Sequence, residues 1–208
     1  MTRRARSSPA TKRELVDVAE RLFADNGYAA TSLDAIVAGA DLTKGALYHH
    51  FSGKPAVFEA AFERVESRAT ASIAMGTGAH EDPWEKARAG LRAFLAAVQE
   101  PAYRQIVVCD GPSVLGHERF RAQQERSTYA VVDEIVGSVL TAAGWDLDED
   151  MLVTVTGIVF GAMSSAGGSI AASEDPAAAA LRVETVIGFV VATLQQLQAS
   201  GSGPTSRR

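Results

Sequence analysis

From Thr11 to Asn26 the apolar residues Leu15, Val18, Ala19, Leu22 and Phe23 recur at i, i+3, i+4, i+7 and i+8. That spacing places all five on one face of a helix, and a strand of period two would scatter them over both faces. The same period returns along the chain. Leu33, Ile36, Val37 and Ala40 share a face, and so do Val57, Phe58, Ala61, Phe62 and Val65. No alternating segment is long enough to claim a sheet, and there is no internal repeat. The predicted class is all-α, with about nine helices.

Helix punctuation sets the boundaries. Gly27 stands where a left-handed C-cap is wanted. Thr31-Ser32-Leu33-Asp34 is a capping-box-like start for a short second helix that stops near Gly39-Ala40-Asp41. Thr43 can cap a third short helix, Lys44 to Phe51. Ser52-Gly53 ends it, with Ser52 as the next cap and Pro55 in the first turn of the fourth helix. Residues 76–83 read as a loop, and Trp84 opens the following helix. Pro101 starts another to about Cys109, and Asp110-Gly111-Pro112 reads as a turn. A long helix should follow to Ala143, ended by Gly144. The last two helices are expected over 148–172 and 176–199, the second opened by Asp175 as N-cap and Pro176 at N1. Residues 200–208, rich in Gly, Ser and Pro, are expected to form a disordered tail.

Constituents exclude several chemistries. Cys109 is the single cysteine, so neither an intrachain disulfide nor a cysteine-rich zinc site is possible. No pair among His49, His50, His80 and His117 has metal-ligand spacing on a helix. No metal and no cofactor are therefore expected. Gly76-Thr77-Gly78 lacks both the third glycine and the preceding strand of a dinucleotide site. Gly111-Pro112-Ser113 lacks the nucleophile-elbow pattern. The expectation is that the chain is not an enzyme. The basic N-terminus has no apolar run after it, so it is not read as a signal peptide, and a cytoplasmic location is expected. Charge is unevenly placed. Residues 1–68 carry 10 Lys and Arg against 9 Asp and Glu, whereas residues 69–208 carry 10 against 16. Arg3, Arg4, Arg6, Lys12 and Arg13 form a basic arm on a near-neutral head, followed by an acidic body.

Three helices in about forty residues, the second and third short and tightly joined, make a helix-turn-helix candidate. At 100° per residue, Lys44, Tyr48, Gly45 and His49 fall on one side of the third helix. Ala46, His50, Leu47 and Phe51 fall on the other. A recognition helix needs this division, one face held by the core and one docked in the major groove. Lys44, Tyr48 and His49 can donate to phosphates, and Gly45 permits close approach.

These residues carry a family resemblance. A-x-x-L-F-x-x-x-G-Y-x-x-T-S at Ala19–Ser32 and T-K-G-A-L-Y-H-H-F at Thr43–Phe51 resemble the DNA-binding domain of the TetR (tetracycline-repressor) family. F-S-G-K-P-A-V-F resembles that family's entry into its fourth helix. The resemblance covers about 55 of the 208 residues. It implies a dimeric, ligand-responsive regulator, usually a repressor, bound to a pseudo-palindromic operator and released by a small-molecule effector. It implies DNA contacts from Thr31, Ser32, Thr43, Lys44, Gly45, Tyr48, His49 and Lys54, with Leu47 and Phe51 as core. Gly53 and Pro55 depart from the charged helix formers common there, and should alter the first turn of the fourth helix. The implied division is an arm over 1–10, a DNA-binding domain over 11–55, and an effector and dimerisation domain over 56–199.

Met151 to Ser173 is 23 residues without a charge, long enough to span a bilayer. Its Gly, Ser and Thr content makes a poor membrane segment, and Gly157-x-x-x-Gly161-x-x-x-Ser165 lines small residues along one side. The last helix offers Val183, Val186, Ile187, Val190, Val191, Leu194 and Leu197, an arc too broad for one monomer's core. The last two helices of two subunits are expected to form a four-helix seam. A pocket is expected between the fourth helix and the helices starting at Trp84, Pro101 and Glu118. Its candidate lining is Phe62, Phe94, Tyr103, Cys109, Phe120, Gln124 and Met163.

Overall fold

The structure, a computed structural model, describes residues 9–145 and 147–200. The first eight residues of the expected arm and the tail from 201 onward lie outside the described residues. Ten α-helices and one π-helix follow in order: α1 (Pro9–Ala30), α2 (Leu33–Gly39), α3 (Lys44–His50), α4 (Lys54–Gly78), α5 (Pro83–Gln99), the π-helix (Tyr103–Asp110), α6 (Gly111–Leu115), α7 (His117–Arg126), α8 (Thr128–Ala142), α9 (Glu149–Ala171) and α10 (Pro176–Ala199). No strand occurs among the described residues.

Two compact units divide the chain. One holds Met1–Arg68 and Glu100–Gln123, and the other holds Ala69–Gln99 and Gln124–Arg208. In the first, the apolar faces read from the sequence close on one another. Leu15, Ala19, Phe23, Ile36, Leu47, Val57, Phe58, Ala61 and Phe62 are all buried. α1 is broken at Gly27, with φ 74° and ψ 168°. The positive φ is as expected, but ψ departs from the left-handed helical value, so the chain turns sharply out instead of making a left-handed cap. The turn between α2 and α3 passes through Asp41 at φ 52°, a residue type that tolerates the left-handed region. α4 starts at Lys54, so Gly53 rather than Ser52 holds its cap position, and Val57 N–H closes the first turn on Gly53 O at 3.2 Å.

Two expectations about the middle of the chain are corrected. Asp110-Gly111-Pro112 is not a turn, because Asp110 and Gly111 keep right-handed helical backbone and the π-helix runs straight into α6. Pro112 lies in the first turn of α6, at its junction with the π-helix. The long helix expected to Ala143 is instead three pieces. Gly116 interrupts it at φ 76°, and Ser127 separates α7 from α8.

The second unit packs around Trp84, Leu91, Phe94, Leu95, Val98, Leu140 and Ile170, all buried. Trp84 Nε1 donates to Gln198 Oε1 at 3.1 Å, and Gln198 Nε2 donates to Ala142 O at 2.6 Å. Thr156, fully buried, donates to Asp133 Oδ1 at 3.0 Å. A Cβ on Gly167 would stand 3.2 Å from Phe94 Cζ, so α9 approaches α5 at glycine distance.

The outward sides of α9 and α10 have no cover in the single chain. Ile158 is 68% exposed and Phe189 70%, with Val153, Leu181, Val186 and Val190 also over half exposed. Nothing lies within 4 Å of a Cβ built on Gly157 or Gly161. Val183, Ile187, Val191 and Leu194 are half-buried on the opposite side of α10. Both helices have the length and mean hydropathy (1.5 and 1.7) to cross a membrane, by composition alone.

Candidate nucleic-acid interface

α2 and α3 are each seven residues, too short to persist without caps and packing. Ser32 Oγ accepts from Ala35 N–H at 3.1 Å and Thr43 Oγ1 from Ala46 N–H at 3.2 Å. Each such cap is worth about 1 kcal/mol. Each hydroxyl spends a lone pair in this way, so capping leaves the O–H proton available. Both side chains are exposed.

α3 is two-sided as expected. Leu47 and, just beyond the helix, Phe51 are buried. Lys44, Gly45, Tyr48 and His49 are exposed, Tyr48 by 59%. A Cβ on Gly45 would touch only Thr43 Oγ1, at 3.9 Å, so that stretch of backbone is open to a close partner. The His49 ring meets His50 edge-on at 5.1 Å. Lys44 Nζ lies 2.7 Å from Asp34 Oδ1, a pairing the sequence reading did not include. The hydrogen bond to Asp34 and the charge of Asp34 hold the Lys44 ammonium above its ordinary pKa.

Thr31 differs from its expected role. It is 3% exposed, and its hydroxyl donates to Leu22 O at 3.0 Å and Gly27 O at 2.9 Å. Its proton is committed to the α1–α2 corner. Lys54 is half-buried, its Nζ 4.2 Å from the Tyr28 ring centroid and 3.4 Å from Ala29 O.

The expected pocket residues divide between the units. Phe62, Tyr103, Cys109 and Phe120 belong to the first, and Phe94, Gln124 and Met163 to the second. In the first, Phe62 and Phe120 meet edge-to-face at 5.9 Å. A Cβ on Gly111 would stand 2.8 Å from Phe62 and 3.1 Å from Phe120, so only glycine lets the π-helix and α6 junction sit on these rings. Tyr103 is buried, and desolvation followed by the charge of Glu66 pushes its phenol well above the ordinary value. Cys109 is exposed. Partial desolvation and then Asp110 push its thiol up, against a smaller opposing effect of Arg104. A raised thiol is a weak nucleophile at neutral pH. In the second unit Phe94 is buried, while Gln124 and Met163 are half-buried. No cluster of three potential metal ligands occurs among the described residues.

Asp110 was legible only as a turn residue. Its carboxylate instead accepts the Tyr28 N–H at 2.8 Å and Gln105 Nε2 at 3.0 Å, through the same oxygen. A contact across 82 residues leaves no local signal in the sequence.

Comparison with known proteins agrees with this geometry. Residues 15–61 match the family described as bacterial regulatory proteins, tetR family, and residues 84–197 match the tetracyclin repressor-like C-terminal domain. The second match alone covers more than half of the chain, and the protein belongs to the TetR family of bacterial transcriptional regulators. Among relatives, the HTH-type transcriptional regulator AcrR of Shigella flexneri is 42% identical over 57 residues, 27% of this chain and 26% of that protein. The HTH-type transcriptional activator FasR of Mycolicibacterium smegmatis is 24% identical over 142 residues, 68% of this chain and 64% of that protein. The chain thus spans about a quarter of AcrR and under two thirds of FasR. Among solved structures, a TetR-family transcriptional regulator from Pectobacterium atrosepticum has a TM-score of 0.76 and 28% identity, covering 89% of this chain and 94% of that one. RolR in complex with resorcinol shares the fold, with a TM-score of 0.64 and 16% identity over 95% of this chain and 96% of that one.

Proposed function

We propose that the chain is a ligand-responsive transcriptional regulator, a repressor that binds a pseudo-palindromic operator as a homodimer and is released by a small-molecule effector. The observation that carries this is α3, whose one face is locked in the core while the other presents Lys44, Gly45, Tyr48 and His49 to solvent. Ser32, Thr43 and Lys54 complete the contact set; Thr31 leaves it, because its hydroxyl is committed internally.

Residues 11–55 form the DNA-binding part and residues 56–199 the effector and dimerisation part. The partner surface is the uncovered side of α9 and α10. Exposed Thr154, Ser164, Ser165 and Ser169 on α9, with Arg182 and Gln196 on α10, suit a second protein chain better than lipid. Soluble, cytoplasmic operation follows from that role. The effector binds within residues 56–199. RolR has been solved with resorcinol, and a 40%-identical stretch of 57 residues belongs to the A-factor receptor protein of Streptomyces griseus. The resorcinol bound by RolR is the precedent for a small organic effector in this reading. The chain has no catalytic role in this reading.

Selection of duplexes from a random-sequence pool by the full chain tests the proposal. Enriched sequences should contain an inverted repeat, and protection should be symmetric about its centre. Enrichment of no duplex, or of single half-sites, contradicts it.

A further inference from the structure

Lys54 is held before any DNA arrives. Its Nζ sits over the Tyr28 ring at 4.2 Å and donates to Ala29 O at 3.4 Å. Tyr28 is itself fixed on several sides. Its ring stacks on Phe23 at 5.8 Å and meets Phe58 edge-on at 5.1 Å. Its N–H donates to Asp110 Oδ2 at 2.8 Å, and Gln105 Nε2 braces that same oxygen. We propose that Tyr28 is a positioning residue that presents the Lys54 ammonium to a duplex phosphate, with Asp110 holding Tyr28 in place. This role rests on the DNA-binding reading above.

The physical case is a contrast between two cations. Lys44 is paired with a carboxylate at 2.7 Å, so a phosphate must compete with Asp34 for it. Lys54 is held by an aromatic face, which attracts the ammonium without neutralising it. Its charge remains available while its flexible four-carbon stem is already ordered. Pre-ordering removes part of the cost of making the phosphate contact. Asp110 adds a route by which the π-helix, in the same compact unit, sets the position of the ring.

Two readouts on the full chain test this. In the free protein, ring current should move the Lys54 Hε resonances upfield of those of Lys44 and Lys86. Lys54→Met assigns the signal, and Tyr28→Leu should abolish the displacement. The second readout uses a duplex selected by the wild-type chain from a random pool. Tyr28→Leu should weaken binding about threefold per head, in line with a partly exposed cation–π contact. In a Lys54→Met background the same substitution should cost less than about 1.5-fold, because the two residues act together. Tyr28→Phe, which keeps the aromatic face, should restore both signals, and Asp110→Ala should reduce both. An equal loss from Tyr28→Leu in both backgrounds, or Lys54 resonances at ordinary positions, overturns the proposal. A wild-type chain that selects no duplex overturns the DNA-binding reading and this role with it. The resonance position in the free chain would then still show separately whether the ring holds the ammonium.

Discussion

The α1–α3 region and the α9–α10 pair differ in where their apolar residues end up. In the first, Leu15, Phe23, Ile36 and Leu47 are buried within one chain. In the second, Ile158 and Phe189 are about 70% exposed, although both helices are more apolar than α1. The helix-turn-helix head finishes its core inside one chain, with α1–α3, the start of α4 and the π-helix, whose Ile106 and Val107 are buried. The last two helices do not: one face of each packs within the second unit, and the other has no cover in the single chain. Exposed apolar patches of this extent mark interaction surfaces.

Substitutions sharpen that contrast. Phe189→Glu has the largest expected effect. It places an unpaired charge where two apolar faces should meet, twice per dimer, and should weaken association by at least about a thousandfold. Sedimentation should show a smaller particle with unchanged helical circular dichroism. Phe58→Ala acts on the other region. Removing a fully buried ring that packs on Phe23 and Tyr28 should cost about 3–5 kcal/mol in a denaturant titration. Ile158→Ala, measured in the Phe189→Glu background, should cost within about 0.5 kcal/mol, since nothing in the chain covers that side chain.

Smaller effects probe the corner between α1 and the π-helix. Gly27→Ala forces a Cβ into a positive-φ position and should cost about 1–3 kcal/mol. The new methyl would also stand 3.2 Å from Gln105 Nε2, a side chain able to shift. Tyr103 gives a dependence on pH. Its folded pKa is raised, so its contribution to stability is complete below the unfolded value near 10 and declines as pH rises above it. The unfolded chain releases that proton while the folded chain retains it. Tyr103→Phe should therefore flatten the alkaline loss of stability by up to about 1.4 kcal/mol per pH unit, read from denaturation midpoints between pH 9 and 11.

Helical periodicity revealed α1–α4, and caps the starts of α2 and α3, because each is specified within its own few residues, whereas the end of α1 at Gly27 and the cap of α4 at Gly53 departed from the expected ones. Ser32 and Thr43 cap where composition places them, and Leu47 falls on the buried side of α3 and Tyr48 on the exposed side, as their angles place them. The middle of the chain was less legible. Gly111-Pro112 has turn composition, yet packing on Phe62 and Phe120 keeps it helical. Nor does residue order show that residues 100–123 join the unit containing α1–α3, because the Asp110–Tyr28 contact is set by tertiary packing. The Lys44–Asp34 pair was missed for the same reason: it joins two helices, and no spacing on either one announces it.

The mass of the full chain in solution tests the central contrast most directly. A chain of 21.9 kDa whose last two helices pair with a second copy should sediment as a particle of about twice that mass at micromolar concentration. Phe189→Glu should return it to the single-chain mass with its helix content intact. A wild-type particle at the single-chain mass across that range would contradict the account, because the exposed faces of α9 and α10 would then have no partner in a second copy.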